Sequence, residues 1–296
     1  MKYKIFLIVV AFALGGLSTN AQSNLLNAKV PSEIGKKTAA QLISDNDKPL
    51  AYGYVHDRDV LMGKTTWETI DLDERINFPL YYPIDTANIG KDRRSLYDVL
   101  TKAMKEGKIT EVYTDSYFNT KKTLKDIEAS LTRIDTTDPG REQFNAGIPI
   151  DPQYIVRTDL AAIDVADYKI KGYWYFDKRQ SELKYRLLGL CPIVPDVYTV
   201  GKEEQDYIEI FWIYFPAARE VLHEAKAFND RNSAMPITFD HLLNSRRFNG
   251  VIYKEENVYG DREIAEYLKE NSQMQLLESE RVKDKIRDFE QDMWNY

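Results

Sequence analysis

Thiol and imidazole groups are scarce in this sequence of 296 residues, which contains one cysteine and three histidines. A single cysteine excludes a disulfide within the chain. Cys191 stands between Leu190 and Pro192 with no histidine nearby in the sequence, so we interpret it as a buried side chain rather than a nucleophile. His56 has acidic neighbours in "HDRD", but their spacing does not direct the imidazole and both carboxylates to one point. We therefore predict no metal and no cofactor.

Basic residues are outnumbered: 40 lysines and arginines stand against 47 aspartates and glutamates, for a formal net charge of −7. Proteins dedicated to binding nucleic acids normally carry a basic surface. One local basic set, interleaved with Tyr173 and Tyr175, is superficially like a stacking platform for single strands. Its members are Lys169, Lys171, Lys178, Arg179, Lys184 and Arg186. The overall acidity argues against that interpretation, and we predict no nucleic-acid partner.

Long apolar runs are missing after the N-terminus. The sequence begins "MKYKIFLIVVAFALGGLSTNAQ", with a basic start, an apolar run from Ile5 to Leu14, and small residues at Thr19 and Ala21. This order is typical of a secretory signal peptide, and the run is shorter than the ~20 residues that span a bilayer. We predict a signal peptide over residues 1–21, an exported chain with no membrane span, and a flexible arm over residues 22–48 that a partner orders.

Catalytic motifs are missing as well. No glycine-rich phosphate loop follows a predicted strand, and no serine lies in a glycine-flanked nucleophile elbow. The stretch "DLDER" does supply neighbouring carboxylates, Asp71, Asp73 and Glu74, of the kind that act on sugars. A chain with 47 acidic residues contains such groups by chance, so we predict that it is not an enzyme. The alternative is a periplasmic glycan-binding or glycan-cleaving protein that uses these carboxylates or the face of Tyr173 and Tyr175.

Alternation with a period of two is the clearest pattern that is present. It predicts strands over residues 168–176 and 181–190, joined by the turn "DKRQ", and a third strand over residues 207–215. Helices are predicted after Ser95 and Thr123, each with an acidic residue three positions on, and after Pro216. We expect an α+β fold with an antiparallel meander of at least three strands and packed helices, in one core domain of residues 49–270.

Three further segments complete the prediction. Val60, Leu61, Trp67 and Ile70 suggest a short helix, "FPLYYP" (residues 78–83) suggests extended backbone, and residues 135–150 suggest a surface loop. From Asp261 the chain is predicted to be helical, ending in a long C-terminal helix over residues 271–296. The apolar stripe of that helix, Val282, Ile286, Phe289 and Met293, lies among charges, so we expect it to meet a partner.

Four blocks of the sequence together resemble one family. They are "DRDVLMGKTTWETIDLDERINFPLYYPID", "YWYFDKRQSELKYRLLGLCPI", "FWIYFPAAREVL" and "TFDHLLNSRRFNGVIYKEENVYGDREI". In this order they look like the gliding-motility protein N family, GldN and its PorN relatives, and the resemblance covers roughly residues 45–270.

The resemblance implies a non-enzymatic, periplasmic component of the type IX secretion and gliding-motility machinery of Bacteroidota. Such a subunit would form a ring with copies of itself and with an outer-membrane lipoprotein of the GldK or PorK type. It would also contact the periplasmic part of an inner-membrane motor protein of the GldM or PorM type. A chain without its own lipidation cysteine would then be held at the inner face of the outer membrane by its lipoprotein partner.

Aromatic and basic residues on the hairpin, together with the C-terminal stripe, are our candidates for protein contacts, because such side chains anchor protein interfaces. The candidate interface residues are Tyr173, Trp174, Tyr175, Lys178, Arg179, Ile286, Phe289 and Trp294.

Overall fold

The computed structural model describes residues 48–84, 94–149, 151–200, 202, 205–228, 237–269 and 271–294. The predicted signal peptide and, apart from Lys48, the predicted arm lie outside the described residues.

Helices and antiparallel strands both occur in the described part of the chain, which confirms the α+β class. The helices are α1 (Phe78–Tyr81), α2 (Leu96–Lys105), α3 (Leu124–Leu131), α4 (Asp138–Asn145), α5 (Phe215–Glu224), α6 (Phe239–Asn244), α7 (Ile264–Tyr267) and α8 (Ser272–Trp294). The strands are β1 (Val60–Asp71), β2 (Val112–Tyr113), β3 (Lys121–Lys122), β4 (Thr132–Thr136), β5 (Ile155–Asp159), β6 (Asp167–Asp177), β7 (Glu182–Pro195), β8 (Tyr207–Glu209), β9 (Ile213–Tyr214), β10 (Lys226–Ala227), β11 (Ile237–Thr238) and β12 (Val251–Glu255).

One antiparallel sheet organises these elements, in the strand order β12, β1, β6, β7 and β8, with β9 also paired to β7. The predicted hairpin is confirmed as β6 and β7, and both strands are longer than the sequence predicted. β1 pairs with β6 along its whole length, from Val60 opposite Asp177 to Asp71 opposite Asp167. At about 3.4 Å per residue, the two ends of these strands lie roughly 35 Å apart.

The short helix predicted within residues 60–70 is wrong, because β1 occupies this segment and lies between β6 and β12. The apolar spacing of Val60, Trp67 and Ile70 imitates a helical period. The intervening "TTWETI" run is rich in β-branched and aromatic residues, which fit a pleated sheet better than a helix. The β-branched and aromatic composition of this run therefore outweighs the helical spacing of its apolar residues.

The largest buried cluster lies on one face of the sheet, and a smaller one, with Trp67, Cys191 and Trp212, is separate from it. Ile70 of β1, with Tyr168 and Ile170 of β6, is fully buried in the largest cluster with side chains of α2, α5 and α6. Ala218 and Leu222 of α5 are buried in that cluster, as predicted. The predicted helix starts are also confirmed, since the side chains of Ser95 and Thr123 accept hydrogen bonds from the backbone N–H groups of Asp98 and Asp126.

The predicted third strand is interrupted. β8 pairs with the end of β7, β9 pairs with Gly189 and Leu190, and the backbone of Trp212 between them pairs instead with Tyr113. The N–H of each of these two residues donates to the carbonyl oxygen of the other at 2.8 Å. Phe215 leaves the sheet to begin α5, one residue before the proline that favours a helical first turn. The apolar run is therefore buried at its centre, from Ile210 to Ile213, and at Phe215, but it does not form one unbroken strand, and Tyr207 and Tyr214 are exposed.

Two other segments also differ from the prediction. Residues 135–150, predicted as a surface loop, contain the end of β4 and the helix α4, in which Pro139 lies in the first turn. "FPLYYP", predicted as extended, begins with the single helical turn α1, with Pro79 again near its start. A proline restricts the residue before it but fits the first turn of a helix, and in both segments the second effect wins.

Candidate protein-interaction surfaces

The hairpin tip, residues 177–182, points its cations outward. Asp177 turns the chain, because its buried carboxylate accepts hydrogen bonds from the backbone N–H groups of Arg179 (2.9 Å) and Gln180 (3.4 Å). Ser181 completes the turn with a left-handed φ of 53°. Lys178 and Arg179 are left exposed at the end of the hairpin.

The start of β1 lies beside the hairpin tip and adds a third cation. The N–H of Lys178 donates to the carbonyl oxygen of Asp59 at 2.8 Å, which joins the two segments. The Arg58 side chain there is 79% exposed, whereas that of Asp59 is 13% exposed. The cations therefore form the outer layer of this end, and the carboxylates of Asp59 and Asp177 lie beneath them.

The three aromatic residues of β6 that we predicted at an interface do not share one surface. Trp174 lies on the core side of the sheet, and Tyr173 and Tyr175 lie on the other side. The Tyr173 ring covers Gly63, where a Cβ would clash with its hydroxyl, and it stacks on Tyr175 at 6.0 Å between ring centroids. Tyr175 is buried, so the expected exposed platform of aromatic rings does not form.

The C-terminal helix already has a partner inside the chain, so the expectation of an uncovered stripe is wrong. Val282 and Ile286 of α8 are buried against Ile252 of β12, with Met62, Trp174 and Leu183 packed around them. Phe289 meets Phe176 edge to face, with ring centroids 6.2 Å apart. The side chain of Trp294 lies outside the described residues, and the helix is separate from α7 rather than continuous from Asp261.

Hydrogen bonds show that α8 crosses the sheet from one strand edge towards the other. Ser279 accepts a hydrogen bond from the N–H of Ile252 on β12 at 2.9 Å. Eleven residues later, Glu290 accepts one from the N–H of Leu183 on β7 at 3.4 Å. Eleven helical residues rise about 16 Å, which matches three strand spacings of about 4.8 Å. The helix therefore spans the four strands β12, β1, β6 and β7.

A buried ion pair lies between the region under α8 and the main core, and sequence reasoning missed it. Both oxygens of Glu68, which is 1% exposed, accept hydrogen bonds from the guanidinium of Arg246 at 3.0 and 2.7 Å. That guanidinium also stacks over the rings of Tyr185 (4.2 Å) and Trp174 (5.0 Å). Burial lowers the pKa of Arg246, but the Glu68 carboxylate outweighs it and the pKa is raised. Because the sequence prediction took β1 as a helix, it did not place Glu68 on the core side of the sheet.

The lysines on the opposite face hold a loop onto the sheet. The ammonium groups of Lys171 and Lys254 flank Trp67 in neighbouring strands, and each lies about 5 Å from the centres of the Trp67 and Tyr117 rings. Lys171 also donates to the carbonyl oxygen of Ser116 at 3.0 Å. The predicted basic set is thus partly structural, since Lys171 anchors the loop between β2 and β3 instead of facing solvent.

The opposite end of β1 and β6 is acidic. We define this acidic end by Asp71, Asp73, Glu74, Asp164 and Asp167, which include the three carboxylates that the sequence singled out. Asp71 lies directly across from Asp167 in the sheet. Burial, with further contributions from Asp71 and Asp73, raises the pKa of Asp167 to about 6. Lys169, which lowers the pKa of Asp167, and the exposed Arg75 offset only part of this negative charge, and a net negative surface favours a cationic partner.

Exposed apolar side chains adjoin the acidic end. This aromatic patch consists of Ile76, Phe78, Tyr82 and Ile163, of which Ile76 and Ile163 are each 57% exposed. The rings of Phe78 and Tyr82 meet edge to face at 5.3 Å, and the hydroxyl of the adjacent Tyr81 donates to the carbonyl oxygen of Ile163 at 2.8 Å.

Asn77 holds this segment in place from below. It is fully buried, and its amide donates to the carbonyl oxygens of Asp71 (2.6 Å) and Asn249 (3.1 Å). Its own carbonyl oxygen accepts from the N–H of Asn249 at 2.9 Å. The aromatic patch is therefore presented on a fixed support, and sequence reasoning had assigned it no role.

The described ranges contain neither a candidate metal cluster nor a helix suited to span a membrane. In that part of the chain, no group of three or more histidine, cysteine, aspartate and glutamate side chains could hold a metal ion. Nor does any helix there have the length and apolar character needed to cross a membrane. His56 is exposed and packs edge to face against Tyr54, with ring centroids 4.7 Å apart.

Comparison with known proteins gives a family match. Residues 55–295 match the family described as "Gliding motility associated protein GldN". The matched range contains the whole sheet, the hairpin tip, the acidic end and all of α8. None of the curated proteins compared with the chain matches it.

Proposed function

The chain belongs to the GldN family of gliding motility associated proteins, and from this premise we propose that it is a ring-forming, non-catalytic subunit of the type IX secretion machinery. Membership in the family makes it a component of the gliding-motility and secretion apparatus. Its finer role, its location and its partners are what we propose.

One observation supports an assembly role most directly: exposed recognition groups stand at two separate places on the surface, each on backbone held by hydrogen bonds. The hairpin tip offers Lys178 and Arg179, and the aromatic patch offers Phe78 and Tyr82 on a support held by Asn77. Arginine and aromatic side chains supply much of the binding energy of protein interfaces. Fixed supports reduce the entropy that association would otherwise cost.

In the proposed arrangement the mature chain lies in the periplasm, at the inner face of the outer membrane. It forms a ring with copies of itself and with an outer-membrane lipoprotein of the GldK or PorK type, which anchors it to the membrane. On its other side it contacts the periplasmic part of an inner-membrane motor protein of the GldM or PorM type. The arm of residues 22–48 is a further proposed contact region.

Affinity purification from detergent-solubilised envelopes tests this proposal. A tagged full-length chain, in a strain that secretes normally, is expected to co-purify with the lipoprotein in large assemblies and to be found in the periplasmic fraction after spheroplasting. Recovery of the chain as a free monomer from such a strain would overturn the proposal.

A second candidate function has one observation in its favour. Asp167, whose pKa is raised to about 6 by burial and by Asp71, lies opposite Asp71, and glycosidases likewise place a carboxyl group of raised pKa near a second carboxyl group. A glycan-binding or glycan-cleaving protein would use this pair with Asp73 and Glu74.

Amide substitutions separate the two candidates. The triple variant carries Asp71→Asn, Asp73→Asn and Glu74→Gln in one chain. Under the assembly role, neither the purified wild type nor this variant should release peptidoglycan fragments. Release of fragments by wild type that the triple variant loses would favour the glycan-cleaving function.

A further inference from the structure

We propose that copies of this chain join head to tail, with the hairpin tip of one copy seated on the acidic end and aromatic patch of the next. The inference rests on the proposed function, because a closed ring of identical subunits needs two different contact surfaces on each copy. The inference specifies which two surfaces make the contact, and it assigns a second copy of the chain as the partner of each surface.

The position of the two surfaces in the fold favours contact between copies. They occupy opposite ends of the same pair of strands, since Asp177 lies at one end of β6 and Asp167 at the other. The intervening length of roughly 35 Å prevents the hairpin tip from reaching the acidic end of its own sheet. Any contact between them joins two molecules, and repetition of that contact continues along a chain of subunits.

Charge complementarity indicates that the partner of each surface is a second copy of the chain. Five carboxylates gather at the acidic end, and Asp71 and Asp73 raise the pKa of Asp167 further than burial alone. At the other end, the exposed cations Arg58, Lys178 and Arg179 outnumber the exposed carboxylates of Asp57 and Glu182. The side chain of Arg179 is 68% exposed, and although its Nε lies 3.8 Å from Asp59 Oδ2 of the same chain, the rest of the guanidinium can meet carboxylates of a neighbouring copy.

Apolar contacts accompany the charges on both surfaces. The aromatic patch leaves Ile76, Phe78 and Tyr82 exposed beside the acidic end. Leu61, which is 48% exposed, lies near the start of β1 next to the hairpin tip. An interface with an apolar centre and a charged rim is the arrangement that stable protein contacts share.

The same charges disfavour the symmetric alternatives. Two hairpin tips would bring arginine and lysine side chains against each other, and two acidic ends would bring carboxylates together. Like charges placed against each other weaken an interface strongly, whereas opposite charges fix its orientation. Unlike ends therefore associate in preference to like ends, and such head-to-tail contacts build a ring or a filament rather than a two-fold dimer.

Charge reversal followed by charge exchange tests the proposal. Lys178→Glu with Arg179→Glu reverses the hairpin tip, and Asp73→Lys reverses part of the acidic end. Each change is expected to lower the amount of chain in large envelope assemblies about tenfold or more, because an attraction becomes a repulsion. A chain that carries all three changes should recover assembly, since its reversed tip meets a reversed end in the next copy.

Co-expression of the two defective chains gives a second, stoichiometric readout. The native tip of the Asp73→Lys chain fits the native acidic end of the tip-reversed chain, and the reversed tip of the latter fits the reversed end of the former. Differently tagged chains are therefore expected to alternate and to regain large assemblies that contain the two in equal amounts. Assemblies that contain only one of the two chains, or no assembly after co-expression, would overturn the proposal.

Two controls keep the outcomes distinct. Arg141→Glu reverses an exposed charge on α4, which contributes no residue to either surface, and should leave assembly unchanged. Unchanged thermal unfolding of every variant shows that the fold is intact, and any variant that fails this check is replaced by Arg179→Ala or Asp73→Ala. Normal assembly by the tip-reversed and Asp73→Lys chains, with the lipoprotein still co-purified, would overturn this inference and leave the proposed function standing.

Discussion

The two ends of the central strands are covered in different ways. Near the acidic end, Ile70, Tyr168 and Ile170 are fully buried in the main core with α2, α5 and α6. Near the hairpin tip, Met62, Trp174 and Leu183 are only partly buried, and α8 covers them with Val282 and Ile286. One pair of strands thus joins a region held by a large core to a region held by one amphipathic helix. The difference predicts how much a destabilising substitution at each end lowers the stability of the protein.

The largest effect is expected at the end held by the main core. Ile170→Ala leaves a cavity in a fully buried cluster and should lower the free energy of unfolding by about 4 kcal/mol. Urea denaturation followed by tryptophan fluorescence measures this loss. Ile134→Ala, on an exposed position of β4, is the matched control and should change stability by less than ~0.5 kcal/mol. Equal losses at both positions would show that the core is elsewhere.

A somewhat smaller effect is expected at the junction of the two regions. Glu68→Gln leaves the guanidinium of Arg246 without its charge partner beneath Trp174 and Tyr185, and should cost about 3 kcal/mol. The same chemical change at exposed Glu182 should cost less than ~0.5 kcal/mol. A Glu68→Gln chain as stable as wild type in urea would contradict the buried ion pair.

A substitution in the contact between α8 and the sheet is expected to lower stability less, and its effect should be local. Ile286→Ala should cost about 2 kcal/mol, because the site is at the margin of the protein and can relax. Hydrogen exchange should rise in α8 and around Leu183, while the amides of β6 near Ile170 keep their protection. Leu277→Ala, exposed on the same helix, is the control. Uniform loss of protection across the sheet would show that the two regions unfold as one.

The smallest effect depends on pH. The pKa of Asp167 is raised from 3.8 to about 6, so the folded state binds the proton more tightly than the unfolded state does. Between these values stability falls as pH rises, and ionised Asp167 destabilises the protein at pH 7. Asp167→Asn should therefore be more stable than wild type at pH 7, by about 1 kcal/mol after allowance for solvent screening. The gain should vanish near pH 4 in paired urea titrations, and a gain that is equal at both pH values would contradict this account.

Local patterns predicted the hairpin, the capped helices α2 and α3, and the inward face of α5, because each depends on neighbouring residues alone. The sequence also indicated Lys178 and Arg179 as exposed, since a polar turn between two strands projects its side chains. It could not show that Ile286 packs on Ile252, because that contact joins distant elements and a stripe of few apolar residues suffices for it. Nor could it assemble the acidic end, whose members come from two separate segments that only the β1 and β6 register brings together.

Cross-linking in the envelope tests the central claim most directly. Cys191 is buried, so cysteines introduced at the exposed neighbours of the contact residues, by Gln180→Cys and Arg75→Cys, would be the accessible thiols. With both changes in one chain, a short bis-maleimide is expected to give a ladder of covalent multimers, because each copy links to the next through unlike ends. Chains with a single change should stay monomeric. Covalent dimers of the Gln180→Cys chain alone, or no ladder from the double variant within intact assemblies, would contradict the account.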